Sequence, residues 1–325
     1  MIQHQPSRVL VTGGAGFIGS TLVERLVARG DDVTVLDDLR NSAVDNLAAV
    51  IDRVEFIEGR CSDTALSLLS SRTFDRIFHL AAPAYVPPSV EDPIGDLRSN
   101  VEETLHLLQA LRRVPNTPRL VHVSSAAVYG QPNVQPIREE CPPAPVSPYG
   151  VDKFAAEEHV RVATALHDLR AVVLRYFPVY GPRQRKQVVY DLISKVERDP
   201  ERVEVFGTGH ELRDLAFVDD VVAATVIASD AAPARGEAYN VGSGTMVTIA
   251  DVVRSVCRAM AVDPEIVFTG SVRPGDSARM VADIGRLRTL GYEPCVRLDE
   301  GIARTVSWVI GSIPADLAPE PEEVA

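Results

Sequence analysis

Short runs of apolar, mostly β-branched residues alternate along this chain with longer stretches whose apolar positions recur every three to four residues. Arg8–Thr12, Val33–Asp37, Val54–Ile57, Ile77–Leu80, Leu120–Ser124 and Ala171–Tyr176 read as strands. They are nearly continuous in apolar character, the pattern of strands buried on both faces of a parallel sheet. Between Ser20 and Arg29, Leu22, Val23, Leu26 and Val27 fall at helical spacing, and Gly30 supplies the C-terminal stop. Asn100–Arg113 carries Val101, Leu105 and Leu108, with Leu107 and Leu111 on an adjoining face. A helix apolar on two faces packs on the sheet and on a second element, either a neighbouring helix or a dimer partner. Strands separated by helices predict an α/β fold, a Rossmann-type doubly wound parallel sheet.

Beyond about residue 178 proline, glycine and charge become denser, and the strands shorten, as in Val203–Phe206. Residues 1–178 are therefore expected to form the sheet domain, with returns near 214–243 where Ala238–Val241 could rejoin the sheet. Residues 179–312 are expected to form mainly a smaller, discontinuous α/β lobe. Residues 313–325, rich in Pro, Glu and Ala, read as a disordered tail.

Composition narrows the partners. The chain has 325 residues, 45 acidic against 33 basic, and a formal charge of -12. So acidic a surface repels nucleic acid and anionic membranes, while leaving room for a phosphate ligand held by a few arginines in a cleft. The basic stretch Arg183–Lys186 reads as a solvated loop. No apolar run approaches a membrane span, and the first residues lack a signal-peptide core. Cys61, Cys141, Cys257 and Cys295 lie far apart, with no CxxC pair and no His at ligand spacing. That usage predicts reduced thiols in a cytoplasmic protein and no metal cofactor.

Two constellations carry chemistry. In Thr12-Gly13-Gly14-Ala15-Gly16-Phe17-Ile18-Gly19, three glycines stand between the first strand and the first helix. Gly13 allows the tight turn, Gly16 lets a pyrophosphate approach the backbone, and Gly19 lets the helix pack on the strand. Asp37 follows 18 residues after Gly19, at the end of the second strand. An acid there accepts hydrogen bonds from ribose hydroxyls and repels a 2′-phosphate, favouring NAD over NADP; Arg40 leaves slight room for NADP.

The second constellation is Tyr149-Gly-Val-Asp-Lys153, preceded by Ser124-Ser125 after a strand. Four residues apart on a helix, Tyr149 and Lys153 share a face. A lysine ammonium and a cationic nicotinamide are expected to lower the tyrosine pKa, so that the phenol takes a proton from a substrate hydroxyl. Ser125 would share hydrogen bonds with that hydroxyl.

With these features the chain resembles the extended short-chain dehydrogenases/reductases, in the branch of NAD-dependent sugar-nucleotide epimerases and dehydratases. The resemblance runs from about Arg8 to about Trp308. It extends through Phe78–Ala82, Val123–Gly130, Leu174–Gln184, Arg213-Asp214, Val218–Val221, Asn240–Gly244 and Arg273–Asp276. It implies that Ser125, Tyr149 and Lys153 are catalytic. Asp38 and Asn41 would join Asp37 near the adenosine ribose, and Leu80, Ala81, Ala82 and Asn100 would line the cofactor together with Gly13, Gly16, Phe17, Ile18 and Gly19. Arg213 and Arg273, with Asp276 beside them, would hold the diphosphate of a UDP- or dTDP-hexose. The resemblance also implies a homodimer built on a four-helix bundle.

Dehydrating relatives usually carry Asp-Glu after the residue matching Ser125, where this chain has Ala126-Ala127. Their absence favours 4-epimerisation through a 4-keto sugar. A UDP-uronate 4-epimerase, in which Arg185 would meet the sugar carboxylate, is a second reading. A dehydratase or reductase of the same family and an NAD-binding regulatory module are further ones. Pro178 replaces a common phosphate-binding Asn, and Arg60-Cys61 replaces an Asp-aliphatic pair that flanks the adenine.

Overall fold

Seven strands build one sheet in this computed structural model, which describes residues 5–271 and 279–311. β1 (Arg8–Thr12), β2 (Asp32–Asp37), β3 (Glu55–Glu58), β4 (Arg76–His79), β5 (Arg119–Ser125) and β6 (Ala171–Tyr176) match the sequence runs to within a residue or two. Arg235–Val241 is the seventh, paired in parallel with β6. The order is Arg235–Val241, β6, β5, β4, β1, β2, β3, and every pairing is parallel. The strand order reverses between β1 and β4, the point where such sheets bind ligands at their C-terminal ends.

Alternate strand residues feed two cores. Val9, Val11, Val33, Val35, Val121, Val172 and Leu174 point to one face; Leu10, Leu36, Leu120, Ala171 and Val173 point to the other. Helices α1 (Phe17–Ala28) and α8 (Val218–Ala231) cover the first face. Helices α2 (Cys61–Ser71), α5 (Glu103–Leu111) and α6 (Pro148–His167) cover the second, and α3 (Val86–Glu91) and α4 (Pro93–Leu97) pack on α6. The first core continues into the lobe through Leu192 and Ile193 of α7 (Gln187–Arg198) and Val252 and Val256 of α9 (Ile249–Met260). Ile302 and Val306 of the C-terminal helix Leu298–Gly311 complete it. Residues 313–325, read as a disordered tail, lie outside the described residues.

The two-faced helix predicted over Asn100–Arg113 begins as a π-helical stretch, Arg98–Glu102, and continues as α5. Leu107, Leu108 and Leu111 are buried, whereas Leu105 faces outward. The segment Arg183–Lys186 is solvated in part: Arg185 and Lys186 are exposed, Arg183 is half-buried and Gln184 is buried. Arg183 pairs with Glu24 of α1 and donates to Ser20 Oγ at 3.3 Å. Lys186 lies 5.4 Å from the Tyr85 ring centroid.

Candidate active site

The glycine loop takes its shape from what side chains would strike. Gly13 has φ +73, and a Cβ there would lie 2.7 Å from Ala81 N and 2.8 Å from Leu80 C. A Cβ on Gly19 would collide with the Gly13 carbonyl and sit 2.9 Å from Gly14 Cα, all of it backbone. Gly16 caps α1 without any side-chain hydrogen bond. Helix-start amides left uncapped in this way suit a diphosphate. Phe17 and Ile18 open the helix.

At the end of β2, Asp37 accepts from Ala15 N at 2.9 Å, Leu39 N at 3.0 Å and Ser42 Oγ at 2.6 Å. The carboxylate thus clamps the glycine loop to the loop after β2. Two oxygens offer about four acceptor positions, so one is left for a ribose hydroxyl. Asp38 is paired with Arg40, Nε to Oδ2 3.0 Å, which occupies the one cation that favoured NADP. Asn41 is exposed beside them. Leu80 N donates to Thr12 O at 3.0 Å, which carries Leu80, Ala81 and Ala82 across the switch point towards the loop. Arg60 pairs with Glu103 at 2.7 Å, and Ser62 N donates to the same carboxylate. The Arg60-Cys61 departure therefore anchors α2 to α5.

Helix α6 is fixed at its start by three contacts. Ser147 caps it, accepting from Gly150 N at 3.1 Å, and Pro148 occupies the first turn. A Cβ on Gly150 would lie 2.7 Å from Ala127 O, so only glycine lets the helix start approach the turn that follows β5. That approach sets Tyr149, at the start of α6, against the turn that begins at Ser125. Tyr149 N also donates to Ser89 Oγ at 3.1 Å. One turn on, Lys153 Nζ donates to Val123 O at 3.2 Å and lies 6.0 Å from the Tyr149 ring centroid. The predicted Ser-Tyr-Lys trio is thus assembled at the C-terminal end of β5.

The electrostatics differ from the expectation in one respect. Burial pushes Tyr149 up to about 12, opposed by the nearby Ser125 hydroxyl and reinforced by the charge of Asp96. Burial also pushes Lys153 down to about 8, with Asp96 opposing. The lysine, directed at a carbonyl and itself desolvated, does not bring the phenol down without further help. A cationic nicotinamide would supply that help.

Several signature residues that carry no chemistry hold this arrangement. Arg175 of β6 forms a buried ion pair with Glu157 of α6 and donates to Tyr129 Oη at 2.8 Å. Tyr129 donates to Asn240 Oδ1 at 2.7 Å, and Ser124 Oγ donates to Glu157 at 3.1 Å. Buried Asp214 accepts from Ser243 N, Gly244 N and Ala282 N. Apart from Glu157 and Ala282, sequence reading recognised these positions as motif letters but not as a network; an Arg, Glu, Tyr and Asn in otherwise apolar elements was the available signal.

A model of the NAD dependent epimerase/dehydratase family matches residues 9–242. The chain belongs to that family. A UDP-glucose 4-epimerase of Mycolicibacterium smegmatis is 39% identical over 309 residues, covering 93% of this chain and 98% of the relative. A dTDP-glucose 4,6-dehydratase of Streptomyces niveus is 33% identical, covering 93% and 92%. The structure of a Thermus thermophilus UDP-glucose 4-epimerase in complex with NAD is 35% identical with a TM-score of 0.85, covering 94% of this chain and 100% of that one. NAD is therefore the cofactor, as the strand-turn-helix pattern indicated.

The residues expected to hold substrate are spread over separate elements. Arg213 lies on the short strand Leu212–Arg213, which pairs with Val247–Thr248 and with Arg279–Met280. Arg273 and Asp276 lie outside the described residues. Arg185 stacks on Trp308 of the C-terminal helix, 5.3 Å from its ring centroid. Pro178 uses its carbonyl to accept from Ala216 N at 2.9 Å.

Proposed function

We propose that this chain epimerises a nucleotide-activated hexose at C4 through a transient 4-keto sugar. The observation that carries the reading is the turn after β5. Ser125 stands beside Tyr149, followed by Ala126 and Ala127, so the trio can move a proton while no carboxyl adjoins it on that turn. Elimination of water needs an acid for the departing hydroxyl and a base for the neighbouring C–H. Epimerisation needs neither.

When bound, NAD supplies a hydride acceptor and, in its oxidised form, a positive charge that favours the phenolate. Tyr149 takes the proton of the C4 hydroxyl and returns it after the sugar has turned. Ser125 holds that hydroxyl, and Lys153 holds cofactor hydroxyls. Arg213 and Arg273 keep the diphosphate anchored while the sugar turns, a task suited to bidentate guanidinium contacts. The absence of a hydroxyl side chain at 126 or 127 weighs against a uronate as the preferred sugar.

A homodimer is part of the same proposal. Val151, Val162 and Leu166 lie on one face of α6 and are exposed, as are Leu105 of α5 and Ile94 and Leu97 of α4. This apolar surface fits a bundle of α5 and α6 from two copies.

The test is incubation of purified protein with a panel of UDP- and dTDP-hexoses, UDP-glucuronate included, with products resolved by NMR and absorbance followed for NADH. Interconversion of two 4-epimers without NADH build-up is the expected result. Loss of water, or NADH formed in proportion to product, would overturn it.

A further inference from the structure

One chain of buried polar groups lies outside the Ser-Tyr-Lys trio. His79 ends β4 with 3% of its surface exposed, and both of its ring nitrogens are bonded. Thr12 Oγ1, at the end of β1, lies 2.7 Å from Nδ1, and Thr104 Oγ1 of α5 lies 3.1 Å from Nε2. Thr104 Oγ1 also lies 2.7 Å from the carbonyl oxygen of Asn100, in the π-helical stretch that precedes α5. At the other end of the chain, Ala81 N donates to Thr12 Oγ1 at 3.4 Å.

The distances fix where the protons sit. A hydroxyl carries one hydrogen and a carbonyl none, so Thr104 Oγ1 and Asn100 O, 2.7 Å apart, need the threonine hydrogen between them. Thr104 is then an acceptor towards His79, and Nε2 carries the ring proton. Burial keeps the ring neutral and pushes its pKa down to about 3, with the charge of Lys153 acting in the same direction. Nδ1 is therefore bare and accepts from the Thr12 hydroxyl, which in turn accepts from Ala81 N. His122, the register partner of His79 on β5, stacks on it with ring centroids 5.5 Å apart. Neither of its nitrogens has a hydrogen-bond partner among the described residues, so it does not compete for these groups.

We infer that His79, as the neutral Nε2–H tautomer, is a positioning residue of the cofactor site, joining the start of the glycine loop to the π-helical stretch that carries Asn100. Thr12 immediately precedes Gly13, and Ala81 N is the atom that a Cβ on Gly13 would meet first. One imidazole thus sets the spacing of three segments remote in sequence: the loop, the turn after β4 and the helix start at Asn100. A ring of similar size without nitrogens fills the same space. It leaves the Thr12 hydroxyl without its acceptor and Thr104 Oγ1 without its donor. The inference rests on the glycine loop as the NAD cradle and not on the choice of sugar reaction.

Two substitutions separate a bonding role from a space-filling one. In His79→Asn the amide oxygen falls where Nδ1 stands and accepts from Thr12, whereas His79→Phe keeps the ring volume and offers no acceptor. Exchange of bound NAD for isotope-labelled NAD in the purified holoenzyme is expected to run about tenfold faster or more in His79→Phe, and to change less in His79→Asn. Simple filling of the core predicts the opposite order, because asparagine leaves a cavity. In parallel, ¹⁵N-histidine NMR of the wild-type holoenzyme reads the ring directly, the His79→Asn spectrum identifying its resonances among the chain's seven histidines. Nε2 is expected to be protonated and Nδ1 bare throughout the pH range in which a free imidazole titrates. NAD exchange in His79→Phe as slow as in wild type, or slower than in His79→Asn, overturns the inference. A wild-type ring protonated at Nδ1 does the same, and that result needs neither variant to fold. Both readouts omit the sugar nucleotide, so failure here is distinct from failure of the epimerase assay.

Discussion

Replacing Lys153 with Met is expected to stabilise the protein while abolishing its activity. The side chain is 5% exposed, and burial brings its pKa from 10.5 to about 8. A difference of about 2.5 in pKa corresponds to roughly 3 kcal/mol of folding free energy spent on carrying the charge at neutral pH. That difference already includes the favourable Asp96 charge, so the attraction is not subtracted again. Methionine keeps most of the stem and loses the hydrogen bond to Val123 O, which contributes about 1 kcal/mol. A net gain of about 1–3 kcal/mol follows.

The sign depends on pH. Because the folded pKa lies below the unfolded one, the unfolded chain binds the extra proton between about pH 8 and 10.5. Wild-type stability therefore rises across that window as the lysine neutralises, and the variant has no such rise. The gap between them is full below about pH 8 and closes as pH approaches the unfolded value. Urea unfolding of cofactor-free protein, followed by the fluorescence of Trp308, the chain's single tryptophan, measures it. A variant less stable than wild type at neutral pH, or a gap that does not change with pH, would refute the reasoning.

Gly19→Ala sets a methyl against the backbone of Gly13 and Gly14, so the purified variant should retain little NAD, as measured in the supernatant after denaturation. Glu157→Ala strands Arg175 in a buried site and should cost about 3–5 kcal/mol in urea unfolding; an effect under about 1 kcal/mol would show that the pair contributes little to holding β6 and α6 together. Leu166→Glu, on a residue 71% exposed in the single chain, should convert a dimer to a monomer by light scattering while the far-UV spectrum stays unchanged.

Much of the sheet was legible because parallel strands leave continuous apolar runs, and the glycine loop was legible because each glycine answers a separate steric demand. The trio was legible as spacing, but its electrostatics were not. Whether Lys153 lowers the tyrosine pKa depends on how much water reaches both groups, and on Asp96, which is remote in sequence. The lobe was hard to read for a related reason: strands such as Leu212–Arg213 are too short to show a period. Arg185 illustrates the limit of spacing alone: its stack on Trp308, more than a hundred residues later, could not be read from the neighbouring letters.

The seventh strand has a consequence for the growing chain. Arg235–Val241 reaches β6 only after α7 and α8 have been made, so during synthesis β6 waits with its outer edge unpaired. An apolar strand left open in that way is an invitation to pair with another chain. Fragments that stop before residue 235 are therefore aggregation hazards however complete their glycine loop and trio, and exchanging the lobe between relatives requires three junctions, one before α7 and one on each side of the segment that returns to the sheet.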